Sequence, residues 1–134
     1  MTLTTAIAGM RAVLRTVPGL TVLEPLPSTV AVYPTALVYA SSGEIDLAMA
    51  GTYRAMHKLR IDLLHSRTPS PEATEAIAVW PDALATVFMA SPDLAGNVVT
   101  VISPWTYEIA ELQYAGKPHF GIRIEVTVKC LANA

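Results

Sequence analysis

A chain of 134 residues, 52% of them hydrophobic and only 15% charged, with a formal net charge of −2, fits a single domain spanning residues 1–134. Charged residues usually make up about a quarter of a globular sequence, so there is more apolar surface here than one small core hides, and the excess points to burial against partners. The nine lysines and arginines are scattered, which excludes the basic footprint of a nucleic-acid binder; Cys130 is the one cysteine, which excludes an internal disulfide or a cysteine-rich zinc site; and with no basic-then-apolar leader and no run of ~20 apolar residues the expectation is a soluble cytosolic product without membrane contact.

In chain order, Leu3, Ile7, Met10, Leu14 and Val17 recur at spacings of four and three, which places them on one stripe of a helix over residues 2–17. Thr2 or Thr4 can cap its start, and Pro18-Gly19 ends it. Pro25, Pro27 and Pro34 predict a stiff surface crossing up to a strand at 35–40. The Gly-bounded segment 41–51, in which Ile45, Leu47 and Met49 alternate with small or acidic residues, is either a projecting hairpin or a mobile loop. Residues 52–65 alternate strictly, with Tyr53, Ala55, His57, Leu59, Ile61 and Leu63 on one face and Arg54, Met56, Lys58, Arg60 and Asp62 on the other. Such alternation predicts an antiparallel sheet with one core face and one wet face.

Ser70 can cap a helix carrying Ala73, Ile77, Trp80, Leu84, Val87 and Phe88, with a kink expected at Trp80-Pro81 because an interior proline removes a backbone hydrogen bond. The turn cluster Ser91 to Asn97, in which Gly96-Asn97 can supply positive φ, leads to a strand at Val98–Ser103. A further strand at 107–114 changes the phase of its apolar residues between Tyr107/Ile109 and Leu112/Tyr114, which predicts a bulge near Ala110. The last strand, 119–130, sets Phe120, Ile122, Ile124, Val126, Val128 and Cys130 against polar neighbours. Helix, two strands, helix, three strands is an α+β order: a mostly antiparallel β-sheet with two helices packed on one face.

No catalytic, cofactor-binding or metal-binding constellation emerges. His57 and His65 share a strand face but lie roughly 26 Å apart along it, too far to hold one ion; with His119 they read as structural or solvent-facing residues. Glu108 and Glu111 fall on opposite faces of an extended strand. No serine sits in a nucleophile elbow, and Cys130 reads as a core residue. No enzymatic activity and no cofactor are therefore expected; an α+β ligand-binding protein or enzyme, which needs polar groups converging in an apolar pocket, is the alternative from another class. What remains is interaction surface. The 41–51 segment is either a partner-contacting arm or a cover for the edge of the domain's own core, and open sheet edges offer a second means of association.

The order of features resembles the tail terminator proteins of long-tailed bacteriophages, also called minor tail or tail completion proteins. The resemblance spans nearly the whole chain. It rests on the helix ending Val17-Pro18-Gly19-Leu20, the crossing to Pro34-Thr35-Ala36-Leu37-Val38, the alternating strand Arg54 to Asp62, the long helix, the turn Ser91-Pro92-Asp93-Leu94-Ala95-Gly96-Asn97, and the closing Gly121 to Lys129. Ala95 stands where a glycine is more typical. The resemblance implies a virion protein, assembled in the host cytoplasm, that forms a ring homo-oligomer, a hexamer, on the finished tail tube. There it stops addition of tube protein and presents a surface to the head-tail connector protein. Contact with tube or neighbouring subunits is assigned to the 41–51 arm, with Ile45, Leu47 and Met49, and to a 103–107 loop with Trp105 and Tyr107 as anchors. A head-completion or neck connector protein is the alternative within virion assembly.

Overall fold

The computed structural model describes every residue except Pro25, Ala50 and Ala134, and of Ala48, Met49 and Asn133 the backbone alone. Helix α1 (Leu3–Leu14) begins where Thr2 and Thr5 form a capping box, each side chain accepting the other's backbone N–H. It ends at Arg15, and the chain turns through Gly19 at φ 78°, a left-handed value that costs glycine nothing. Ala6, Met10, Val13 and Leu14 are buried. Gly9 packs so tightly on the loop after the last helix that a Cβ there would lie 2.8 Å from the Asn97 side chain.

The proline-rich crossing contributes one short strand, β1 (Thr21–Val22), paired parallel to the start of β2 (Thr35–Met49). Strand β2 continues through the whole of the Gly-bounded segment and pairs antiparallel with β3 (Thr52–Ser66), so the hairpin reading of residues 41–51 is the correct one. Helix α2 (Pro71–Ala76) is capped by the Ser70 hydroxyl, which accepts the Ala73 N–H at 3.0 Å. After Ile77 and Ala78 comes α3 (Val79–Ala90), then β4 (Thr100–Tyr114) and β5 (Lys117–Asn133).

The sheet order is β1-β2-β3-β5-β4, antiparallel except for β1. Val38, Ile61, Ile124 and Tyr107 stand in one cross-strand row, and the face they share carries the main core. There Leu59, Ile61 and Leu63 of β3 and Ile122 to Cys130 of β5 meet Met10 and Leu14 of α1 and Ile77, Trp80, Leu84 and Phe88 of the α2–α3 layer. Fully burying one such side chain stabilises by about 1.5–3 kcal/mol. The fold is α+β with its helices on one face of a mostly antiparallel sheet.

Four expectations need correction. The break in the helical layer falls at Ile77-Ala78, not at Trp80-Pro81; Pro81 is the third residue of α3, where the missing N–H has no intrahelical acceptor to lose. Residues 100–103 and 107–114 belong to one strand rather than two, with Val98 and Val99 still in the turn before it, and the proposed 103–107 loop lies inside that strand. Its irregularity sits between Ile102 and Thr106, whereas Ala110 is in regular register with Gly121. Last, the face opposite the helices is only half wet. Leu37, Leu64 and Leu112 form a second buried cluster there, roofed by Leu23, Val30 and Tyr33 of the crossing. This second cover explains the change of phase in β4: Tyr107 and Ile109 lie on the helix face, Leu112 and Tyr114 on the other, and no bulge is needed between them.

Candidate interaction surface

Beyond the helical layer β2, β3 and the end of β5 project as a three-stranded arm. Its base is marked by a bulge at Ser41, where the register shifts between Ala40 and Ser42; the extra residue bends and twists the strand, and the Ser41 hydroxyl donates to Lys58 O at 3.2 Å. Gly43 is opposite His57, and a Cβ at Gly43 would lie 3.0 Å from the His57 ring. That close approach lets the imidazole fold over the strand and stay buried.

Of the five interface residues expected from the sequence, Ile45 and Leu47 lie on the arm, 60% and 75% exposed. They do not cover the domain's own core. The side chain of Met49 lies outside the described residues, although its backbone closes the hairpin opposite Thr52. Trp105 is half-buried and meets Phe88 of α3 edge-on, ring centroids 5.5 Å apart; it anchors β4 to the core through the irregular stretch. Tyr107 is 53% exposed, next but one to exposed Ile109 on the same side of β4. The structure thus separates the five: Ile45 and Leu47 belong to β2 towards one edge of the sheet, Trp105 and Tyr107 to β4 at the opposite edge, three strand spacings or roughly 14 Å away across the strands.

Both edges carry free backbone. Strand β1 covers β2 only at Thr35 and Ala36, and β4 has a partner on one side alone among the described residues. Met89, 83% exposed on α3, adds an apolar side chain beside β4. A shallow apolar groove of ≈ 200 Å³ runs there between Phe88, Met89 and Pro92 and Val101, Ile102 and Trp105. Sequence reasoning missed Met89 because it lies within a helix whose neighbouring apolar residues are core.

On the open sheet face the charges are paired across strands. Arg123 donates to both oxygens of buried Asp62, at 2.9 and 3.1 Å, and the Tyr39 hydroxyl donates to the same carboxylate at 2.7 Å. Arg60 bonds Glu125 at 2.9 Å with Lys58 at 3.7 Å behind it, and the Arg60 contact holds the Glu125 carboxyl below its usual range. Asp62 raises Arg123 above an ordinary guanidinium, while burial and then the Asp62 contact push the Tyr39 phenol up. Towards the arm a groove of ≈ 630 Å³ lies between Glu44, Ile45 and Asp46 on one strand and Arg54, Met56 and Lys129 on the others. Arg54 and Lys129 make no ion pair among the described residues, so this groove presents unpaired charge of both signs next to the exposed aliphatic side chains.

The histidines are placed apart. His57 lies within the arm opposite Gly43, His65 accepts the Trp80 indole N–H at 3.1 Å, and His119 pairs with the Tyr33 hydroxyl at 2.6 Å. Cys130 is fully buried in the core, which raises its thiol pKa. Among the described residues no three His, Cys, Asp or Glu side chains gather as a metal site, and no helix is long and apolar enough to cross a membrane. The arrangement is suited to binding another protein surface through apolar contact and edge pairing. A scan against protein-family models and a search of curated proteins gave no match to this chain.

Proposed function

We propose that the chain is a structural virion protein of the tail terminator kind, which assembles as a ring on the phage tail tube, ends its polymerisation and offers the upper surface to the head connector. The observation that carries the reading is the exposure of Ile45 and Leu47 on an arm at one edge of the sheet, with exposed Tyr107, Ile109 and Met89 at the other. Two different apolar patches on opposite edges favour a heterologous, head-to-tail contact, which generates a ring when the rotation closes. The growing end of a tube presents one unpaired interface per subunit. A ring that occupies every one of them without recreating that interface stops growth by shape, with no chemical step.

The test is mass in solution by light scattering, alone and mixed with tube protein. A mass several times the 14.3 kDa chain, or ring formation on tube ends, is the expected result. Leu47→Asp should abolish it while leaving the unfolding free energy of the chain within about 0.5 kcal/mol of wild type, as for an exposed position. A monomer that ignores the tube would overturn the proposal. A ring that binds a portal rather than a tube would transfer it to the neck.

A further inference from the structure

At the end of the sheet away from the arm, a pocket of ≈ 220 Å³ opens between the crossing at Thr29 to Tyr33, Arg67 at the end of β3, and Lys117 and His119 at the start of β5. Two guanidinium or ammonium groups share it, and no carboxylate lines it. Neither Arg67 nor Lys117 forms an ion pair among the described residues, although the chain as a whole carries more acids than bases. His119 is 97% buried by its 3% exposure, and its Nδ1 is engaged with the Tyr33 hydroxyl. That leaves Nε2 as the free hydrogen-bonding atom of a ring that lines the pocket. In the tautomer in which Tyr33 donates to Nδ1, Nε2 carries the proton and is a donor. The backbone N–H groups from Thr29 to Val32 donate to no protein acceptor among the described residues.

The geometry points to an oxyanion-binding pocket: a carboxylate or phosphate group held by Arg67 and Lys117, with the His119 Nε2–H and the crossing's amides as neutral donors. The wall is fixed on both sides, because Tyr33 bonds His119 and the Tyr114 hydroxyl donates to Pro27 O, so the crossing that supplies the amides is pinned to the sheet that supplies the cations. Burial first, then the Arg67 and Lys117 charges, keep the His119 pKa below its ordinary value, which is the response of a ring that shares a small space with two uncompensated cations. Two positive groups aimed at one cleft repel each other, and an anion between them removes that repulsion while gaining charge-assisted hydrogen bonds. The site lies at the end of the sheet away from the arm and is built from different residues.

The pocket is tested on the full chain by following backbone amide and His119 ring resonances during separate titrations with sodium phosphate and sodium acetate, at fixed pH and with ionic strength held constant by sodium chloride. Saturable shifts confined to Thr29–Tyr33, Arg67, Lys117 and His119 are expected. Arg67→Gln and Lys117→Gln should each weaken binding about tenfold or more, the effect of losing one charge-assisted contact. Both side chains belong to exposed residues, so each variant should unfold at the wild-type midpoint, and either one alone decides the question. Tighter binding of phosphate identifies a phosphate group as the ligand; tighter binding of acetate identifies a carboxylate supplied by a protein chain. Shifts that rise linearly with both salts, or an affinity unchanged in both variants, would overturn the assignment.

Discussion

His57, His65 and His119 each sit where burial favours the neutral ring, so all three titrate below the ordinary histidine value of 6.5. The unfolded chain takes up those protons as pH falls through 6.5 while the folded chain still refuses them. Between that value and the depressed folded values the unfolded state binds more protons, and stability must fall as pH falls. Protonated His65 would also lose its lone pair as acceptor for the Trp80 indole. The Glu125 carboxyl, lowered by Arg60, adds its own loss only below the ordinary glutamate value of 4.5. The urea midpoint should therefore drop between about pH 7.5 and about pH 5.5, with histidine as the cause; a flat or rising midpoint over that interval would contradict the burial of the three rings. A second residue-scale test concerns Asp62, 3% exposed and held by Arg123 and Tyr39. Arg123→Gln strands a buried carboxylate and should cost roughly 2–3 kcal/mol in urea unfolding, at or below the lower end for a broken buried pair. The reduction reflects the third of the arginine side chain already in water and the Tyr39 bond that survives.

At the scale of elements, local rules and tertiary cover divide the outcome between them. Caps obeyed local chemistry: Thr2 and Ser70 accept the N–H groups that their sequence positions predict. The turn before β4 followed the expected residues at Gly96 (φ 86°) and not at Asn97, since the other positive φ values fall on Leu94 (50°) and Ala95 (58°). Leu94 tolerates the strain because its side chain is fully buried, so packing over-determines the backbone there. Pro81 makes the sharpest test. If it broke the helix, Pro81→Ala should merge α2 and α3 and stabilise by about 3 kcal/mol. Because it occupies the first turn of α3, the substitution should change the unfolding free energy by less than about 1 kcal/mol.

For the whole molecule, the division of surface follows from what covers each part of a long sheet. Helices cover the middle of one face, the proline-rich crossing covers one end of the other, and the arm and both edges are left open among the described residues. Part of the apolar excess counted in the sequence lies there, Ile45 and Leu47 at one edge, Met89, Tyr107 and Ile109 at the other, while Val32 on the crossing, Val79 on α3 and Leu131 on β5 are exposed elsewhere. Edges of this kind invite pairing with another chain. Under the proposed ring, Leu47→Asp acts on assembly and not on folding, so a monomeric mass with an unchanged midpoint is the outcome that separates an interface residue from a structural one.

The sequence by itself determined the α+β class, the helix starts, and the core-facing residues of β3 and β5, because capping and strict alternation are local signals that burial on one face imposes directly. It also showed that segment 41–51 is unusual, without deciding between arm and cover. Only the tertiary structure decided that Ile45 and Leu47 of the hairpin stay exposed while Ala55 opposite Ile45 joins the core, that Trp105 is half-buried against Phe88 while Tyr107 two residues on is exposed, and that Leu37, Leu64 and Leu112 form a second core under the crossing. These outcomes depend on which distant segment lies over a given face, and a residue's own neighbours in sequence carry no record of that. The pocket at His119 belongs to the same class, since its walls come from the crossing, the end of β3 and the start of β5, which meet only when the sheet is assembled.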